Sequence, residues 1–303
     1  MVTRSFSSWP SEPIRCCATF PVPHSQAIEQ VLALILATLA LAGEPVDFTP
    51  RLPEGRILSW THLVNATESS HWGSSEVRAV VLTHLEVERG GRLGEQQLEW
   101  VHRVEGVAAE LDIGAHTVAR WRDDQPSVEA HALQRFEQLS TSIWRTIVSP
   151  DGAMEWFQIM RGDGHWDEQV TGPRPPEVLA WAMGLQLGGA AWLPGQTRSR
   201  EVDLPVWDYD TVPCRLELTL DEASGRRALL SYQLTPDQGA EETLESLAGT
   251  GEVLFHVRRG RILEHHHSLE YAYTEGSYRW ERTESMSSFL HKVGRQPARR
   301  RLQ

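Results

Sequence analysis

Strict alternation of apolar and polar residues dominates the chain beyond Gly43, the pattern of strands with one covered face. In Glu76–Arg89, Ala79, Val81, Leu85 and Val87 share a face, and in Gln97–Val104, Leu98, Trp100 and Val104 do so. Gly90, Gly91 and Gly94 lie between these runs as a turn. Ile143–Val148 and Ala153–Ile159 flank Ser149-Pro150-Asp151-Gly152, where proline presets φ and glycine accepts a positive one. Further along, Cys214–Leu220 and Arg227–Leu234 flank the loop Asp221–Gly225, and Glu252–Arg258 and Arg261–Leu269 close around Arg259-Gly260. Tyr271–Thr274 then turns through Glu275-Gly276 into Ser277–Glu281. The recurring unit is the antiparallel hairpin.

Two stretches carry a helical spacing instead. Ser127–Leu139 places Val128, Ala132, Phe136 and Leu139 near one face, and Pro176–Leu187 is apolar all round and stops at Gly188-Gly189. The expected fold is mainly β: antiparallel, hairpin-rich sheets in two halves, with one or two short packing helices. Residues 43–170 form the first half around helix 127–139, and residues 171–290 the second around helix 176–187. Thr171–Pro176 is the seam, and the arginine-rich stretch 291–303 reads as a disordered basic tail.

Ahead of the alternation lies VLALILATLALA, Val31–Ala42, uncharged throughout. As a helix it reaches about 18 Å, short of the roughly 30 Å of a bilayer core, so a transmembrane span is not expected. Its Ala40-Leu41-Ala42 ending fits a signal-peptidase site, and residues 1–42 read as an export signal with an over-extended start. Cleavage there removes Cys16 and Cys17 and leaves Cys214 as a thiol that has no internal disulfide partner. Cys214 opens the run Cys214, Leu216, Leu218, Leu220, so it is expected in the core. The expected location is exported, in the periplasm or secreted.

Charge and composition then exclude several classes. The formal net charge of −12 over 303 residues argues against nucleic acid as a partner. Lys292 is the only lysine and sits in the basic tail, which leaves no Gly-Lys-Ser/Thr phosphate loop and no convincing Schiff-base lysine. Neither a Gly-x-Ser-x-Gly elbow nor a His-Glu-x-x-His motif occurs, and the paired acids Asp123-Asp124 and Asp208/Asp210 fall in polar loop-like segments. No cofactor is expected.

His265-His266-His267 is the one suggestive cluster. On a regular strand His265 and His267 share a face. A turn at Arg259-Gly260 places Val257 opposite Ile262 and Glu252 opposite His267, so two imidazoles and a carboxylate form a possible metal set. The alternation slips by one residue within Glu264–Ser268, which predicts a β-bulge, and the histidines then read as solvated edge residues. In the last hairpin the same counting pairs Tyr273 with Tyr278 and Tyr271 with Trp280.

Three segments carry a resemblance. LQRFEQLSTSIWRTIVSPDGAMEWF, WLPGQTRSREVDLP (Trp192–Pro205) and GTGEVLFHVRRGRIL resemble an uncharacterised family of exported antiparallel-β proteins from GC-rich bacteria. The resemblance implies export and antiparallel β architecture, and it carries no established catalytic residue. The functional expectation is an exported, non-enzymatic β protein that binds or scaffolds in the cell envelope. Alternatives are a half-barrel carrier of an apolar ligand and a metal-dependent hydrolase using His265, His267 and Glu252. An apolar ligand or an envelope partner is the expected interaction, and nothing in the pattern specifies an oligomeric state.

Overall fold

The computed structural model describes residues 45–48, 51–92, 95–122, 139–140, 143–148, 154–160, 166–168, 191–204, 212–237, 244–275 and 278–295. The chain divides into Met1–Ala42 and Gly43–Gln303, and the architecture below is that of the second unit. Its first strands are β1 (Val46–Asp47), β2 (Arg51–Leu52), β3 (Arg56–Ser70), β4 (Gly73–Arg89), β5 (Gly91–Arg92), β6 (Leu98–Ile113) and β7 (His116–Arg122). Next come β8 (Ile143–Val148), β9 (Met154–Met160), β10 (Trp166–Glu168), β11 (Ala191–Trp192) and β12 (Thr197–Leu204). The last are β13 (Val212–Ser224), β14 (Arg227–Pro236), β15 (Leu244–His256), β16 (Arg261–Glu275) and β17 (Tyr278–Arg295).

Thirteen of these strands make one antiparallel sheet in the order β10-β9-β8-β6-β4-β3-β17-β16-β15-β14-β13-β12, with β7 also paired to β6. Two meanders therefore meet at β3 and β17, where the ladder runs from Glu281 opposite Ser69 to Arg295 opposite Arg56. Strands of 15 to 18 residues such as β3, β4 and β17 reach about 50–60 Å. Two-stranded ribbons, β1–β11 and β2–β5, complete the described strands.

The expected architecture is corrected in two respects. The halves are not separate sheets: the β3–β17 ladder joins them into one, because an unpaired strand edge in each half finds its partner in the other. Nor does a packing helix occur among the described residues, where helical backbone is confined to residues 139–140 and one 3-10 turn, Val257–Arg259. The remainder of stretch 127–139 and all of 176–187 lie outside the described residues, as do the expected seam 171–176 and residues 296–303 of the expected tail. Residues 291–295, also assigned to that tail, continue β17.

Alternation sets one covered and one open face. On β13 the covered residues are Cys214, Leu216, Leu218 and Leu220, and on β14 they are Ala228, Leu230, Tyr232 and Leu234. Cys214 is thus a core thiol. The core continues through Val253, Phe255, Trp60, Leu85 and Trp100. Phe48 packs edge-on against Trp192 and Phe255, with ring centroids at 5.9 Å and 5.5 Å, and so ties the β1–β11 ribbon to the main sheet. A second cluster forms around Val64, Val81, Val107, Trp144 and Met286.

Candidate functional site

The three histidines occupy β16, a central strand rather than an edge, and the loop before it decides where they point. Val257–Arg259 leave the ladder as a 3-10 turn, which Gly260 ends in the left-handed region at φ 59°, its N–H donating to the Val257 carbonyl at 3.2 Å. Pairing begins two residues earlier than a two-residue turn allows, with His256 opposite Arg261 and Phe255, not Val257, opposite Ile262. Leu263 is then the extra residue of a bulge, since the next pair is Leu254 with Glu264. The bulge lies just ahead of the expected interval, Glu264–Ser268. From there Val253 faces His265, Glu252 faces His266, and Gly251 faces His267. The expected pairing of Glu252 with His267 is therefore corrected by one residue, and that step is a change of face.

His265 and His267 turn to the covered face and are 0% and 5% exposed, whereas Glu252 is exposed on the open face. The three side chains are not brought together. Among the described residues no group of three His, Cys, Asp or Glu side chains converges as a metal site would require. The two histidines meet Tyr232 instead. Its hydroxyl lies 2.8 Å from His265 Nε2 and 2.8 Å from His267 Nδ1, and the three rings stack at 5.9 to 6.2 Å. A single hydroxyl donates one hydrogen bond and accepts others. His265 Nδ1 is buried without a hydrogen-bond partner, and an unpaired lone pair is cheaper there than an unpaired N–H. The consistent arrangement has His265 Nε2–H donating to Tyr232, whose O–H donates to His267 Nδ1.

Burial sets the charge state of this group. It pushes His265 well below the ordinary value of 6.5 and His267 to about 4, the neighbouring histidines adding to the effect on His265. The same desolvation pushes the Tyr232 phenol well above 10. The trio is neutral at pH 7.

More polar groups continue the row across the covered face. Ser288 stands opposite both His265 and His62. His62 bonds Ser288 Oγ through Nδ1 at 2.8 Å and Thr83 Oγ1 through Nε2 at 3.0 Å, while the Trp60 ring stacks on it at 6.2 Å. On β6, His102 Nε2 bonds Thr146 Oγ1 of β8 at 3.2 Å. Each of these side chains is 0% exposed. Toward the far end of the strands, Arg282 lies 3.4 Å from Glu284 and 3.8 Å from Glu68, which also accepts from the Tyr273 hydroxyl at 3.1 Å. The histidines, the hydroxyls bonded to them, Arg282 and Glu284 hold strands together away from solvent, while Glu68 and Tyr273 are half-buried.

What faces solvent is the other side of the sheet, and it holds two adjoining grooves. One, of about 480 Å³, is lined by Leu63, Val80 and Ala108 with Arg78, Glu110 and Arg120 at its margin. Leu63 pairs with Val80, and Val80 with Ala108, so the three make one row across β3, β4 and β6. Leu63 is 46% exposed, Val80 42% and neighbouring Leu82 39%. The second groove, of about 700 Å³, spans β12 to β17 and is lined mainly by hydroxyl and amide side chains. Both include Ser285 and Ser287. The sequence reading passed over this face. Its signal lies in Leu63-Val64 and Val80-Val81-Leu82, where alternation lapses and both faces become apolar.

No protein-family model and no curated protein matches the sequence. The resemblance to uncharacterised exported β proteins therefore rests, in structure, on the antiparallel architecture. Among solved structures the chain is similar to lipovitellin, in a study of its lipid–protein interactions, at 10% identity and TM-score 0.50 over 81% of this chain. It spans only 26% of that lipovitellin chain. It also matches the translocator domain of the autotransporter NalP from Neisseria meningitidis at 9% identity and TM-score 0.21, over 88% of this chain and 96% of that one. An outer membrane channel from Pseudomonas putida F1 matches at 9% identity and TM-score 0.24, over 82% of this chain and 100% of that one. At these identities the lipovitellin match bears on the fold alone: a large antiparallel sheet.

Proposed function

We propose that the protein is an exported, non-enzymatic β protein of the cell envelope that binds an apolar chain on the open face of its sheet. The observation that carries this reading is the exposed row Leu63–Val80–Ala108, flanked by Leu82, on a face whose other residues are largely polar. Scattered single apolar residues need no explanation, but a contiguous row lining a groove does. A volume of about 480 Å³ falls in the range of sites for small organic molecules. Covering each aliphatic side chain contributes about 1–2 kcal/mol. Lipovitellin, whose sheet this fold resembles, engages lipid, and an apolar ligand is the corresponding proposal here.

N-phenylnaphthylamine, which brightens in apolar surroundings, provides the test. The protein should bind it saturably, and Leu63→Asp with Val80→Asp should weaken binding at least tenfold. Both positions are solvent-exposed, so the thermal midpoint should shift by only a few degrees. Equal binding by the variant and the parent protein would remove the reading.

A further inference from the structure

The groove beside the apolar row differs from it in chemistry, and the two are continuous through Ser285 and Ser287 of β17. A ligand whose chain lies on Leu63 and Val80 therefore presents its head to the second groove. Resting on the function proposed above, we infer that this groove receives an uncharged, hydroxyl-rich head group, making the ligand an amphiphile of the glycosylated-lipid type.

Three features carry the inference. First, much of the lining is short side chains that both donate and accept or offer an amide, among them Thr219, Ser231, Gln233, Thr250, Ser268 and Ser287. These come from adjacent strands at fixed spacing, which suits a rigid array of hydroxyls. Second, no lysine or arginine lines the groove, whereas two carboxylates, Glu217 and Glu252, do. Glu217 lies 3.3 Å from Arg215, and no partner for the Glu252 side chain occurs among the described residues. A phosphate or sulfate head meets negative charge there with no lysine or arginine to receive it, whereas a carboxylate accepts readily from a sugar hydroxyl pair. Third, a bare quaternary ammonium lacks the aromatic cage it needs, because Tyr232, which lies along the groove, turns its ring to the covered face.

The experiment displaces N-phenylnaphthylamine from the full-length protein with three amphiphiles of equal chain length below their micellar concentrations: dodecyl maltoside, dodecyl sulfate and dodecyltrimethylammonium. The maltoside should displace the probe at a concentration at least tenfold lower than either charged compound. Gln233→Leu with Thr250→Val should cut that preference below threefold while leaving the affinity for N-phenylnaphthylamine unchanged. Equal displacement by all three, or tighter binding of a charged head, overturns the head-group inference and leaves the apolar site standing. Failure of the probe to bind at all overturns both.

Discussion

Replacing Gly251 by alanine should cost about 2–4 kcal/mol of folding stability, more than any substitution on the open face. The reason is a close approach rather than a turn. Gly251 belongs to β15 and is not among the glycines with positive φ, so its backbone suits any residue. Its missing side chain is the space through which Tyr232 of β14 crosses β15 to reach His265 and His267 of β16. A Cβ at this position would collide with the Tyr232 ring and hydroxyl and with the His266 carbonyl. Overpacking of this kind costs about 1–3 kcal/mol, and a displaced Tyr232 leaves buried imidazole nitrogens unpaired at about 1–3 kcal/mol. Gly249, two residues earlier on the same face, is the control: its added Cβ would sit 3.0 Å from a Leu234 methyl, 3.1 Å from Leu234 Cβ and 3.2 Å from a Leu269 methyl, contacts that need the neighbours to give by only a few tenths of an ångström. Gly249→Ala should change stability by less than about 1 kcal/mol, because alanine also restricts the unfolded chain. Urea denaturation reads both values. Combining Gly251→Ala with Tyr232→Ala should cost less than the sum of the single changes, since both remove the same contact. A Gly251→Ala protein as stable as its parent would contradict the crossing.

Much of this architecture is legible locally, and the places where it is not share a cause. Alternation identifies the covered faces of β13 and β14 residue by residue, and Cys214 falls where its run places it. Register is lost wherever the turn is misjudged. Counting Arg259-Gly260 as a two-residue turn ignores the 3-10 turn at Val257–Arg259, which shifts the register by two, and the bulge at Leu263, which returns one; the net slip exchanges His266 for His267 opposite Glu252. In the last hairpin the pairing is likewise corrected: Tyr273 faces Trp280, stacked at 6.5 Å, and Tyr271 faces Arg282, because the strands continue to Glu275 opposite Tyr278. The histidines read as solvated because imidazole is polar and their partners are remote. His62 finds Ser288 across 226 positions, and His265 finds Tyr232 across 33. No local pattern names those partners, nor that β17 returns to β3. The open-face row was equally hidden, since Leu63-Val64 and Val80-Val81-Leu82 read as slightly richer strands until the ladder sets them side by side.

Lowering the pH from 7 to 5 should remove at least about 2 kcal/mol of stability, through two buried imidazoles. In the folded protein His265 and His267 titrate below the ordinary 6.5, His267 at about 4, because burial disfavours their charged forms. The unfolded chain therefore binds more protons than the folded one between those values, and stability falls as pH falls. The slope approaches about 1.4 kcal/mol per pH unit per histidine below 6.5 and flattens once the folded state also protonates. Over the window from 7 to 5 His267 contributes about 2 kcal/mol, and His265 adds to the loss in the same direction. The groups facing the pair are Tyr232 from β14, His62 from β3 and Ser288 from β17, and none is a carboxylate that would offset the cost of a proton. His256 is also lowered by burial and by Arg259, and it adds in the same direction. Urea unfolding midpoints at pH 7, 6 and 5 should fall together with stability while the denaturant slope stays constant. His267→Gln keeps an acceptor for the Tyr232 hydroxyl but does not titrate, so it should remove about 2 kcal/mol of the loss between pH 7 and 5 whatever it does to stability at pH 7. A midpoint that is flat between pH 7 and 5 would mean that the histidines are reached by water, and the covered face would then not be closed.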